Sequence, residues 1–146
     1  MGVSNLSPRR QRHTRRPAAR VGAAVVEFAF VAPLLITLTF GMIEIGRVVM
    51  VKQLLINAAR EGARMAILPA SISQDVIAHV QDELNKSSIQ GATVTLSPES
   101  LANAPAGSAV TVAISINASA VSWLPKPLFV VSQQLDAATT MRRESL

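Results

Sequence analysis

From Ala23 to Ile43 the chain is apolar for about 21 residues, with Glu27 as the sole charge. That is enough for the ~20 residues a helix needs to cross the hydrocarbon of a bilayer. Pro33 lies inside the run, and membrane helices tolerate proline where neighbouring groups satisfy the freed carbonyl. The helical spacing does not stop at the end of this run. Val48, Val51, Leu55, Ala58, Ala59, Gly62 and Ala66 continue it, now interleaved with Glu44, Arg47, Lys52, Arg60, Glu61 and Arg64. Pro69 ends it. A helix from Ala23 to Leu68 is about 69 Å long at 1.5 Å per residue. About 30 Å of that fits in hydrocarbon. The rest enters water and needs a surface to cover its apolar stripe.

A second helix is predicted from residue 72 to 86. Ile72, Val76, Val80 and Leu84 recur every four residues, while Asp75, Gln81, Asp82 and Lys86 face water. Ser71 with Gln74 three residues later fits a capping box at its start. The period then changes from helical to alternating. Residues 92–96 (ATVTL) are a short strand candidate, and 97–108 is a loop by composition. In 109–117, Val110, Val112, Ile114 and Ile116 alternate with Thr111, Ala113 and Ser115, which predicts a half-buried strand. VSWLPKPLF, with two prolines and the single tryptophan, reads as an irregular connection, and 132–141 as a last strand. The predicted class is α+β. A long N-terminal transmembrane helix extends into a small head with a second short helix and a roughly three-stranded antiparallel sheet. One face of that sheet needs a helix to bury it.

Charge changes this picture only at the N-terminus. The formal net charge is +5, which invites a nucleic-acid partner. Six of the fourteen basic residues are arginines within residues 1–20, where there is no acid. The remainder carries eight basic against nine acidic residues and has no tyrosine. No basic face with stacking aromatics is left to track phosphates, so no nucleic acid is expected as a partner. Residues 1–21 read as a disordered basic arm. Arginines on one side of the span place that side in the cytoplasm. The chain has no cysteine, so disulfides, thiolate metal sites and a cysteine nucleophile are excluded.

Catalytic chemistry finds no foothold. His13 and His79 have no metal-ligand partner at helical spacing. Asp82 and Glu83 are adjacent and diverge on a helix. There is no GxSxG, P-loop or GxGxxG pattern. The expectation is no enzyme, no catalytic residue, no metal, no cofactor and no small-molecule substrate. In AAREGARMA (58–66), the small residues let another helix or a sheet approach closely. Packing on the chain's own sheet is the favoured reading of that stretch over a dedicated subunit interface.

The most informative stretch is RVGAAVVEF. A basic leader ends in Gly22, and an apolar helix follows with Glu27 as its fifth residue. A secretory signal places its apolar core before the cleavage site. Here the order is reversed, and it resembles the type IV prepilin signal, cut after glycine on the cytoplasmic face. GAAVVEFAFVAPLLITLTFGMIEIGR, then AAREGARMA, then the near-terminal AATTMRRES are similar to the TadE family, the pseudopilins or minor pilins of tight-adherence (Flp) pilus assembly. The resemblance covers most of residues 20–68 and the last ten or so. Flp-type signals usually carry tyrosine after the glutamate, where this chain has Phe28.

That resemblance implies a leader, 1–22, removed by a prepilin peptidase between Gly22 and Ala23. It implies recognition and assembly roles for Glu27 and Phe28. It further implies a transmembrane helix over 23–44 and an exported head over 45–146, with helix continuation 45–68. The partners implied are the membrane, the prepilin peptidase, other pilin-like subunits and the pilus assembly machinery. The implied location is the bacterial inner membrane, single-pass, N-terminus cytoplasmic, or a surface pilus. Glu27 has three readings. It pairs with the new ammonium on Ala23 of a neighbouring subunit, it pairs with the ammonium of its own chain, or it stays protonated near the headgroups. The alternative function is an uncleaved, membrane-anchored extracytoplasmic binding module that does not polymerise.

Overall fold

Helix α1 runs without a break from Ala18 to Ala66. It is followed by α2 (Ser73–Lys86), β1 (Thr93–Ser97), a 3-10 turn (Leu101–Asn103), β2 (Ala109–Asn117), α3 (Ala118–Val121) and β3 (Gln134–Arg142). The computed structural model describes residues 18–122 and 134–144, with side chains from Gly22 onward. Most of the expected basic arm and of the proline-rich connection lies outside the described residues. The three strands form one antiparallel sheet in the order β1-β2-β3. The architecture is the expected one, α+β with a long apolar N-terminal helix, a short second helix and three antiparallel strands.

The helix starts earlier than the apolar run does. Ala18, Ala19 and Arg20 are strong helix formers, and nothing in their chemistry halts the helix before Gly22. The chain divides into two compact units, the first up to Leu38 and the second from Thr39. In the first unit, α1 has no buried side chain from Gly22 to Leu38. Phe28, Phe30, Leu34 and Leu35 are all exposed. By length and composition this helix is a membrane-span candidate. Thr37 Oγ1 donates to the Pro33 carbonyl at 2.8 Å, the usual back-bond of a helical threonine.

In the second unit, one sheet face is apolar. Val94 and Leu96 of β1, Val110, Val112, Ile114 and Ile116 of β2, and Leu135 and Ala137 of β3 are buried. The register sets Ile114 between Val94 and Ala137, and Val112 beside Leu96. The opposite face carries polar pairs, among them Thr111 and Thr140 with hydroxyls 2.8 Å apart. Against the apolar face lie Val51, Leu55, Ala58, Ala59, Ala63 and Ala66 of α1 and Val76, Val80 and Leu84 of α2, in one buried cluster. Each fully buried Leu or Val contributes about 1.5–3 kcal/mol relative to exposure. The small residues of 58–66 are therefore spent on close approach within the chain. A Cβ on Gly62 would lie 2.5 Å from Val80 Cγ2 and 3.4 Å from Val112 Cγ1. Helix, helix and sheet meet at that glycine.

The capping box expected at Ser71 does not form. The N-cap of α2 is Ile72, with no side-chain cap bond. The Ser71 hydroxyl turns the other way, to the carbonyls of Met65 (2.5 Å) and Leu68 (2.7 Å). The unpaired carbonyls ending α1 are acceptors a hydroxyl can donate to, and they win over the α2 amides. At its C-terminus α2 closes with a Schellman motif. Ser88 N–H bonds Asn85 O and Ile89 N–H bonds Leu84 O, each at 2.9 Å. Ser88 occupies the left-handed position at φ 59°, where glycine is the usual residue.

Candidate functional site

Gly22, Ala23, Glu27 and Phe28 all lie within α1, and all are exposed. Nothing lies within 4 Å of a Cβ built on Gly22. Glycine inside a helix weakens it by roughly 0.5–1 kcal/mol relative to alanine, so the Gly22–Ala23 bond sits at a soft point of an otherwise strong helix. Gly22 and Glu27 fall one and a half turns apart, which puts them on different helix faces. In the uncut chain Ala23 has no free ammonium for Glu27 to meet.

A second cluster gathers where α1 enters the sheet-bearing unit. Glu44 is only 2% exposed. Its Oε1 accepts from Ser122 Oγ at 2.5 Å. Its Oε2 is buried without a hydrogen-bond partner among the described residues. One turn on, Arg47 Nε donates to the Val121 carbonyl, and Lys52 Nζ donates to the Asp136 carbonyl. The position of α3 explains the burial. Asn117 Oδ1 caps this short helix by accepting from Ser119 N–H at 3.0 Å, and Ala118 and Val121 are buried. Capping turns the chain back so that Val121 and Ser122 lie against α1. Sequence reasoning treated Glu44 as a charge acquired on leaving the membrane. Its spacing carried the missed signal. Glu44, Val48, Val51 and Leu55 fall at i, i+4, i+7 and i+11, the same stripe that packs on the sheet.

The far end of the sheet-packed part of α1 is held by Arg143, which is nearly buried. Its Nη1 donates to the Leu101 carbonyl and its Nη2 to the Pro69 carbonyl, the latter at 3.0 Å. Glu144 N–H bonds the Ile67 carbonyl at 3.2 Å, and Gly107 N–H bonds Arg143 O at 3.0 Å. Gly107 adopts φ +78°, a conformation L side chains rarely take. The guanidinium thus ties the C-terminal strand to the α1–α2 connection through carbonyls. Ser73 Oγ adds a contact to the same knot by accepting from Leu101 N–H at 3.0 Å.

These arrangements position backbone and helices. A shallow depression between α1 and α2, about 380 Å³, is lined by Leu54, Asn57, Ala58, Glu61, Glu83, Leu84 and Ser87. Among the described residues no group of three His, Cys, Asp or Glu side chains is placed to hold a metal.

A protein-family model described as TadE-like protein matches residues 22–64. No curated protein and no solved structure matches the chain. The match begins at Gly22, includes Ala23, Glu27, Phe28, Glu44, Arg47 and Gly62, and ends two residues before α1 does. The TadE-like segment is therefore α1 itself, and α2 and the sheet lie outside it.

Proposed function

We propose that this chain, TadE-like over residues 22–64, is a pseudopilin or minor pilin that serves assembly of a tight-adherence (Flp) pilus through subunit–subunit contacts, with no catalytic activity of its own. The observation that carries this reading is a coincidence of boundaries. The TadE-like match starts at the glycine that closes the basic leader and follows one helix from an exposed apolar stretch into a packed α+β head. A soluble domain has no use for a helix with large apolar side chains exposed all round. In a single-pass membrane protein the same helix is the anchor.

The arginine-rich leader sits in the cytoplasm and the head lies on the other side. Prepilin peptidase hydrolyses the Gly22–Ala23 bond, freeing the leader with a new carboxylate and leaving an ammonium on Ala23. Glu27 then meets the Ala23 ammonium of a neighbouring subunit. A carboxylate in hydrocarbon costs a few kcal/mol and needs such a partner. Phe28 keeps the ring of the usual tyrosine and so contributes packing without a hydroxyl.

N-terminal sequencing of protein extracted from membranes of a host with the peptidase tests the processing step. The expected first residue is Ala23, and a chain starting at Met1 or Gly2 rules cleavage out. Glu27→Ala is expected to insert normally and to impair piliation. Normal piliation by that variant removes the pairing role from Glu27.

A further inference from the structure

The membrane-proximal turns of the head carry an arrangement that the anchor alone does not require. Met42, Ile43, Ile45, Val49 and Met50 are each about half exposed or more. They lie in the second unit, on the α1 surface turned away from the sheet. The helical charges of this region do the opposite of what water rewards. Glu44 turns inward to Ser122, Arg47 to the Val121 carbonyl and Lys52 to the Asp136 carbonyl. The exposed surface of α1 from Thr39 to Met50 is left without an outward charge among the described residues. Beyond Met50, the first exposed polar side chains are Gln53 and Asn57, and the first exposed charges Arg60, Glu61 and Arg64.

We infer that the head is seated in the membrane, with α1 in contact with lipid as far as Met50 and the polar boundary at Gln53. This inference rests on the membrane-spanning reading and moves its edge. Hydropathy ends the span at Ile43. Ending the apolar surface at Met50 adds about 10 Å of helix at 1.5 Å per residue. That is the depth to which apolar helix faces sink at the headgroup–acyl boundary, roughly 5–10 Å. The inward-turned charges fit this seat. Long cationic side chains at a membrane edge ordinarily reach outward to water or headgroups. Here they are used on carbonyls of α3 and β3, so the lipid-facing surface stays neutral while the head is clamped to its own helix. Ser119 and Ala120 of α3, exposed at the same clasp, are uncharged as well.

The chain has no cysteine, so single cysteines can be placed without background. Nitroxide labels on Leu34→Cys, Ile45→Cys, Val49→Cys, Gln53→Cys and Asn57→Cys report collisions with oxygen, which partitions into lipid, and with a nickel chelate, which stays in water. Full-length protein is reconstituted in vesicles of phosphatidylethanolamine and phosphatidylglycerol. All five side chains are exposed, so the labels displace no core residue. Ile45 and Val49 are expected to behave like Leu34, with strong oxygen collision and nickel collision several-fold below that of Asn57. Gln53 is expected to fall between. Ile45 and Val49 matching Asn57, while Leu34 stays shielded, leaves the span intact and overturns the seat. Shielding of Ile45 and Val49 from both reagents means protein covers them, as a second copy would, and also overturns it. Water access at Leu34 removes the span and the inference together.

Discussion

Gly62→Ala adds a carbon 2.5 Å from Val80 Cγ2 and 3.4 Å from Val112 Cγ1. Both neighbours are buried, and Val80 is a β-branched residue with little rotamer freedom in a helix, so the contact cannot be relieved by swinging a side chain aside. Either α1 or α2 must move by about an ångström. Such overpacking costs about 1–3 kcal/mol. Replacing glycine by alanine in a helix returns about 1 kcal/mol of propensity. The expected net effect is a destabilisation of about 1 kcal/mol, up to about 2. Val80→Ala alone removes buried methyls and opens a cavity, costing about 2–3 kcal/mol. In that background the clash is gone and Gly62→Ala is expected to stabilise. The sign reversal is the diagnostic. The assay is urea unfolding of the full chain in detergent, followed by far-UV ellipticity. With m of about 1–3 kcal/mol/M, a change of 1 kcal/mol moves the midpoint by roughly 0.3–1 M. Equal effects of Gly62→Ala in both backgrounds, with coupling within about 0.5 kcal/mol, would refute the three-way contact.

Further outcomes can be checked by the same unfolding assay. Ser122→Ala removes the hydroxyl that donates to the buried Glu44 Oε1 and is expected to cost about 1–3 kcal/mol, whereas Glu44→Gln keeps an acceptor for Ser122 and is expected to cost less. Arg143→Ala is expected to destabilise by about 2–4 kcal/mol by freeing two carbonyls, and Arg143→Lys to recover only part of it because one ammonium lacks the guanidinium fork. The exposed Arg142→Ala should stay within about 0.5 kcal/mol of the parent. Ser88→Gly relieves the left-handed strain at φ 59° and is expected to stabilise by about 1 kcal/mol. The Asp82 carboxylate, by hydrogen bond and charge, raises the Lys86 pKa above its usual 10.5. A raised cation pKa gives stability that is present below 10.5 and lost as pH climbs through the folded value, so the Asp82→Asn difference should hold constant across neutral pH and shrink in strong alkali.

Periodicity carried most of the fold. The four-residue spacing of Val76, Val80 and Leu84 marked the buried face of α2, and the alternation from Val110 to Ile116 marked the central strand. Both are local patterns, set by the geometry of a single element. The features that escaped are long-range. Glu44 is buried by a serine 78 residues away, and Arg143 by carbonyls 42 and 74 residues away. Nothing in the MRRES stretch separates Arg142 from Arg143 until the last strand ends and fixes which one turns inward. Ser71 shows competition of a different kind, since two sets of unpaired helix-end groups lay within its reach and the sequence rule considered only one. The site residues followed the same division. The order of basic run, Gly22 and Glu27 stands in the sequence itself, while the Glu44–Ser122 clasp required the return of α3.

The most direct measurement concerns the side of the membrane on which the head lies. Asn103 is exposed on the 3-10 turn, and Asn103→Cys gives the chain one thiol. Spheroplasts expressing it are treated with a membrane-impermeant maleimide before and after lysis. A single-pass anchor with an exported head predicts full labelling before lysis. Labelling that appears only after lysis, or recovery of the protein from the soluble fraction, would contradict it.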